Sequence, residues 1–562
     1  MTMFKKTDPN PQLDIFTAPS MQLGSRASKK YSDPNAWHNQ FYSLVTTKIN
    51  EEIFKPLFPE GKKCGRPNAS IRILVAMSAL KEGFGCSDED LFEKCEFDLL
   101  TRKALGMELL TDVTPSIDTY YLFRRRICEY QERTGIDLMQ LCFEQLAGNQ
   151  VRLLKISGKC VRMDSKLIGS NIARQSRYEL IHTTLVKFLK TCTLSDLSPE
   201  QEERAKEYLK EDSSKTVYRS DSDTLQSNLA RIGNFIMEML ATFPATSPAH
   251  DLLQRLFDEQ YAVKDGKAVL RDKKEVKADS LQNPNDPDAT YRAKNDQKVQ
   301  GYVTNITETV EEGKPNIITS VQVETAVFAD CHFLQEAVEN SERVTDSTIE
   351  DLYADGAYQS PDNREFAKNH NAMQLKTGKM QGGCRWELIP HDEDGLTVRE
   401  IATGNTYEAV KAVTKQGSRK RWRIPWNNKT GWRYFEDKDI KAYQLRKQIE
   451  SLPLEEQHKR NNVEAAMFQY SFHTRKGKTR YRGLLKHRMH AYSRCMWMNL
   501  RRMVIFQIST FQRSIFALFG PIREAFGSFK AISRQIVTSG ADCYVSLRMT
   551  TLARLDSKYV PF

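Results

Sequence analysis

Three acids in this chain could hold a divalent cation between them: Asp355, Asp164 and Glu464. Asp355 ends a short apolar run, Ile349 to Ala354, and is followed by Gly356. Four residues later Ser360-Pro361 opens a helix, with Ser capping the free amides and Pro fitting the first helical position. Asp355 is therefore expected where a strand stops, at the carboxyl edge of a sheet, the edge at which open α/β sheets carry their chemistry. An Asp-Gly there also serves simply as a turn, because glycine supplies the backbone freedom that turns need. Asp164 is the carboxylate near the end of a second strand pattern, Lys159 to Ile168, in which Val161 and Met163 alternate with Arg162 and Asp164. If the two strands are neighbours, a helix bearing Glu464 can complete a cluster of three carboxylates. Hard, negatively charged oxygen ligands suit magnesium or manganese. Two such ions about 4 Å apart activate a water or 3′-hydroxyl and stabilise the leaving oxygen of a phosphodiester. The three are chosen from 72 acidic residues, so their neighbours in sequence matter.

Those neighbours are cationic and aromatic. Arg460, Glu464 and Phe468 fall on one stripe of a helical pattern. Arg475, Lys476, Lys478, Arg480, Arg482, Lys486 and Arg488 then follow with no acid among them. Such a run is often a solvated face, but one this one-sided beside Glu464 fits a phosphate cradle better. Residues 374 to about 435 read as β-structure and hold four of the six tryptophans: Trp386, Trp422, Trp426 and Trp432. The run from Lys415 to Trp426 interleaves cations with aromatics, a surface that could stack bases and neutralise phosphates. The same tryptophans would equally close the core of a small β domain.

The elements that must position these residues belong to a long, mildly basic chain. Its 562 residues exceed one core, so two to four domains are expected. Lys and Arg outnumber Asp and Glu by 83 to 72, a formal +11, which favours a polyanionic partner. The 11 cysteines are scattered without a Cys-x-x-Cys pair and read as reduced thiols. The first residues hold no apolar signal core, and no apolar run is long enough to span a membrane; a soluble, cytoplasmic protein is expected.

Residues 1–33 are polar and predict a flexible arm. Residues 34–150 read as a helical domain, with Ile71, Leu74, Val75, Ser78 and Ala79 on one stripe, a stop at Gly83-Phe84-Gly85 and a cap at Ser87. Two helices about a glycine turn are similar to a helix-turn-helix, with Arg66 and the cluster Arg124, Arg125, Arg126 as phosphate contacts; an ordinary bundle with a basic face is the alternative. After the Asp164 strand, residues 170–285 predict a helical insertion that ends in a charged loop from Asp265 to Asp288. A hairpin follows, Val299–Val310 and Ile317–Phe328, then a helix and the Asp355 strand. The order predicts an α/β sheet of mixed strand direction, with a helical and a β-rich insertion (residues 374–440), preceded by an all-helical domain and followed by a C-terminal helical region and tail, 501–562.

Segment by segment, the chain resembles DDE transposases of bacterial insertion sequences (the IS-four/IS-five-like superfamily). Gly65 to Ser70, Gly85 to Leu91, Asp98 to Arg102 and Pro115 to Thr119 with Phe123-Arg124 resemble the InsH-type N-terminal domain. Asp164-Ser165, Asp286 to Ala289 with Gly301-Tyr302, and Tyr353 to Tyr358 resemble the RNase-H-like catalytic core, here expected over residues 155–500. Arg460-Asn-Asn-Val-Glu464 with Arg480-Tyr-Arg-Gly483 resembles the segment carrying the last carboxylate. The similarity runs from about residue 40 to about 500. It implies that Asp164, Asp355 and Glu464 are the catalytic, metal-binding acids for two Mg2+ (or Mn2+) ions. It implies an enzyme that binds terminal inverted repeats in double-stranded DNA, cleaves the ends and joins 3′-hydroxyls to target DNA, as a homodimer on DNA in a bacterial nucleoid. Arg460, Arg475, Lys476, Arg480 and Arg482 are then expected on DNA, with Trp422, Trp426 or Trp432 holding a flipped base. The downstream cations depart from the spacing of the tyrosine/arginine/glutamate/lysine signature. A DNA-binding protein that no longer cuts, and an RNase-H-like nuclease without strand transfer, are the rival readings.

Overall fold

A computed structural model describes residues 4–7, 18–58, 68–244, 247–294, 297–377, 384–391, 395–412, 421–426, 431–451 and 453–525. The chain divides into two compact units, one of residues 1–158, 165–347 and 467–562, the other of residues 159–164 and 348–466. The strand β1 (Cys160–Gly169) starts in the second unit and ends in the first.

The first unit opens with helices. Within the polar stretch expected to be a loose arm, Pro19–Gln22 and Ser25–Tyr31 are helical and Tyr31 is buried. The helix Ile71–Phe84 begins at Ser70, whose hydroxyl accepts the amide of Ile73, and ends at Gly85 in the left-handed conformation. Its expected stripe is buried, and so are Ala76, Met77 and Leu80 on its other sides. The reason is the long helix Leu484–Ala525, which packs against it. Trp497 of that helix sits among Trp37, Phe41 and Phe84, with ring centroids 6.1, 6.1 and 5.5 Å away. A Cβ placed on Gly83 would lie 2.3 Å from the Trp497 indole, so glycine is what lets the two helices approach. Ser87 and Asp90 form the expected capping box for Asp88–Phe97, and Ser116 caps Ile117–Thr134.

The block between β1 and the next long strand is mostly helical. Arg177–Leu189, Pro199–Lys210, Ser222–Thr242 and Pro248–Gln260 share one apolar cluster that includes Phe235, Ile236 and Tyr261. Where a loop was expected, a small hairpin follows: β2 (Tyr261–Lys264) and β3 (Lys267–Leu270). Its turn is Asp265-Gly266, both at positive φ, the signal of a tight hairpin, and Ala268 anchors it in the cluster. The strands β4 (Thr290–Lys294), β5 (Gln297–Thr309) and β6 (Ile318–Thr325) pair antiparallel, β5 in the middle. The end of β1 runs beside β5, where the Ser170 amide donates to Gln300 O at 3.0 Å. Neighbours in this unit are therefore β6, β5 and β1.

In the second unit the start of β1 pairs parallel with β7 (Asp351–Ala354), and β7 pairs parallel with β8 (Gln374–Thr377). The helix Pro361–Asn369 joins β7 to β8. The strands β9 (Trp386–His391), β10 (Gly395–Glu400), β11 (Thr406–Lys411), β12 (Arg421–Trp426) and β13 (Gly431–Glu436) form an antiparallel sheet in chain order. One face buries Trp386, Leu388, Leu396, Val398, Trp422, Ile424 and Phe435, packed with Ile440 and Tyr443 of the helix Asp437–Glu450. Among the described residues no helix is long and apolar enough to cross a membrane. The molecule is thus mixed α/β with a helical N-terminal region.

Candidate functional site

The parallel pairing of β1 and β7 sets the two aspartates. Cys160 is level with Asp351, Val161 with Leu352 and Arg162 with Tyr353. Continued by two residues, this register brings Asp164 level with Asp355. Neighbouring strands lie about 4.8 Å apart, and level residues of a parallel pair face the same side. Both carboxylates are half-buried. Local chemistry fixes the second one. Asp355 accepts its neighbour Gly356's amide at 2.6 Å, Ser360 caps the following helix through the Asn363 amide, and Asn363 Nδ2 donates to Tyr358 O at 2.8 Å. At the other end of β7, Lys376 pairs with Asp351 at 2.9 Å, away from the pair of acids.

Glu464 lies on the helix Leu454–Ser471 and is exposed. Among the described residues no group of three or more His, Cys, Asp or Glu is arranged to hold a metal ion. Carboxylates such as those of the two aspartates are hard oxygen ligands of the kind a magnesium-like cation takes; among the described residues no group joins Glu464 to them.

The expected cations divide by environment. Arg475, Lys476, Arg480 and Arg482 are exposed, as a phosphate contact requires. Arg480 donates to Gly85 O at 2.8 Å and Arg482 to Asn171 O at 2.7 Å. Arg124 instead stacks between the rings of Tyr120 and Tyr481, 5.4 and 5.2 Å from their centroids, a packing role. Arg125 is exposed and 3.5 Å from Glu129. Arg66 and Lys415 to Lys420 fall outside the described residues, as do the side chains of Arg460 and Trp426. The tryptophans differ too. Trp422 is 4% exposed in the β core, which leaves its ring no face for a base, whereas Trp432 is 48% exposed with the Arg423 guanidinium 4.2 Å over its ring.

Two buried polar groups support this frame. Asp286 accepts Tyr302's hydroxyl at 2.6 Å and that of Ser170, anchoring the end of β1; burial and the Asp286 bond raise the Tyr302 pKa. A Cβ on Gly301 would stand 2.4 Å from Ile168 O, so the backbones meet only because that residue is glycine. The second group, Glu82, was not singled out by sequence. It binds His490 Nδ1 at 2.7 Å and the Tyr481 hydroxyl. Burial pushes its carboxyl up, but His490, Lys81 and the Tyr481 bond overcome this and hold it at about 2. Its only sequence signal is a single acid in a mostly apolar helix.

Residues 30–126, the helical N-terminal region, match the family model described as "Transposase domain (DUF772)". No curated protein and no solved structure matches the chain. The match supports a transposase as the kind of protein that this chain resembles.

Proposed function

We propose that the chain is a DDE-class DNA transposase with an RNase-H-like catalytic core. The observation that carries the proposal is the parallel register of β1 and β7, which, continued by two residues, levels Asp164 within β1 with Asp355 just past the end of β7. The antiparallel pairing of β5 with β6, and separately the parallel pairing of β7 with β1 and with β8, agree with such a core. The transposase-domain match agrees with the same reading.

In this reading Asp164 and Asp355, with Glu464, would hold two divalent ions, which when bound supply an activated hydroxyl and charge stabilisation at the phosphodiester. The chain's own residues do the rest. The Gly356 amide orients Asp355 by donating to its carboxylate. The exposed cations of 475–482 hold the DNA backbone, and base identity is read elsewhere. The N-terminal helices help recognise terminal inverted repeats, and two copies of the chain bridge the two ends.

The test is incubation of the purified protein with DNA flanking its own gene, with and without magnesium, beside the Asp355→Asn variant. Magnesium-dependent nicks at a defined repeat, absent in the variant, are expected. Equal nicking by the variant would remove Asp355 from the site. The exposed position of Glu464, apart from any three-donor group, favours a second reading, a DNA-binding protein that does not cut. Binding without nicks is its signature.

A further inference from the structure

The first unit contains a cleft of about 530 Å3 whose lining includes Lys166, Arg174, Lys298, Lys476 and Lys478. Among the described residues that line it none is acidic. Its construction explains how so much like charge is held. After the tight turn at Lys476-Gly477 the chain runs parallel to the end of β1. Gly169 N donates to Gly477 O at 2.8 Å, Thr479 N to Gly169 O at 3.0 Å, and Asn171 N to Tyr481 O at 3.0 Å. Burial alternates along this segment: Thr479 and Tyr481 face inward, whereas Arg480 and Arg482 are exposed and Lys478 is half-buried. Alternate residues of extended chain repeat about every 6.7 Å, a spacing on the scale of successive phosphates along a strand.

Four of the cations are held by uncharged groups. Lys478 Nζ donates to Ile172 O at 2.6 Å, Arg482 to Asn171 O, and Arg174 to Lys298 O. Lys166 Nζ reaches the Ser471 hydroxyl at 2.7 Å. For Lys478, Arg482 and Arg174 carbonyl oxygens fix the geometry without neutralising charge, so their field stays available to an anion. Among the described residues, Arg174, Lys298, Lys476, Lys478 and Arg482 make no ion pair with a carboxylate.

We infer that this cleft and the adjoining row Lys478, Arg480, Arg482 form a track for the sugar–phosphate backbone of a DNA strand, with Lys298 and Lys476 on opposite banks. The inference rests on the transposase reading and specifies where that protein grips its substrate. The track reads charge and not base identity.

The test measures binding of a fluorescein-labelled duplex against salt concentration by anisotropy. Wild type is compared with Lys298→Gln/Lys476→Gln, with Lys206→Gln/Lys210→Gln, and with Lys298→Arg/Lys476→Arg. The second pair removes the same charge from exposed positions of the helical block. Each lost phosphate contact lowers the slope of log K against log salt by about 0.9, so the cleft variant should lose roughly 1.8. The helical-block variant should keep the wild-type slope, and the Arg variant should keep it too. Equal slopes for the cleft and helical-block variants, with wild type binding normally, would overturn the track and leave the transposase reading intact. Absence of salt-dependent DNA binding by wild type would overturn both.

Discussion

Gly83→Ala adds one methyl group at the place where the helix Ile71–Phe84 meets Trp497. The new Cβ would stand 2.3 Å from one indole carbon and 2.7 Å from two more. A flexible side chain would turn aside, but the indole is rigid, 6% exposed and walled by Trp37, Phe41 and Phe84. Two effects oppose each other. Alanine is favoured over glycine inside a helix by about 1 kcal/mol. Overpacking a close-packed core costs about 1–3 kcal/mol, and a contact this short belongs at the upper end. The net expectation is a loss of about 1–2 kcal/mol, placed locally. Hydrogen exchange followed by mass spectrometry reads it directly, because peptides from Ile71–Phe84 should exchange roughly 5–30 times faster. Trp497→Leu should destabilise the same peptides through its own cavity. In the Gly83→Ala/Trp497→Leu protein the methyl meets space, so the two losses should fall short of additive by about 1–3 kcal/mol. Unchanged protection in Gly83→Ala, or strict additivity in the double variant, would refute the packing argument.

Acid should weaken the first unit in two steps. Burial and the nearby His490 lower the His487 pKa from 6.5 to about 3, so its contribution is complete above pH 6.5 and is lost as pH falls toward 3. Glu82, held at about 2 against an ordinary 4.5, adds stability that is complete above pH 4.5 and is lost toward pH 2. Each group contributes a slope of about 1.4 kcal/mol per pH unit at most. Thermal unfolding followed from pH 8 to 4 should show a plateau, then a decline that His487→Gln flattens above pH 4.5; a decline unaltered by that change would contradict the assignment. In the β-rich sheet, Trp422→Ala should cost about 3–5 kcal/mol, as a large core truncation does, whereas Trp432→Ala should stay within about 1 kcal/mol. Equal losses in thermal unfolding would mean that the two rings are not divided between core and surface as described.

What could be read from the sequence was mostly local. The cap at Ser87, the stop at Gly85 and the Ser360-Pro361 helix start all depend on neighbours within a few residues, and each recurs in the structure. The strand bearing Asp164 forms too, but Arg162 is buried beside Val161 and Met163, so its burial does not alternate as expected. The hairpin at Asp265-Gly266 was lost inside a charged stretch, although its turn signal was present. Long-range facts had no such signal. Pattern alone supplied each aspartate's strand, but the register that levels Asp164 with Asp355 comes from β1 meeting β7. The tryptophans show the same limit: Trp422 and Trp432 belong to one aromatic-rich stretch, and only strand pairing assigns the first to the core and the second to the surface. Lys298 and Arg174 stood out in no motif, since each becomes meaningful only as part of the cleft that Lys476 also lines.

The meeting of Ile71–Phe84 with Leu484–Ala525 also has a biosynthetic consequence. A ribosome adding about 5–20 residues per second would take roughly 20–80 s to pass from Gly83 to Trp497. Through that interval the helix carrying Ala76, Met77 and Leu80 is already made but has no Trp497 helix to cover it. The N-terminal helices therefore cannot reach their final packing during their own synthesis, and a message broken before Trp497 yields a product with an open apolar seam that chaperones and proteases recognise. Completion of the N-terminal helices thus depends on a segment made much later, which ties the fate of Ile71–Phe84 to the successful synthesis of Leu484–Ala525.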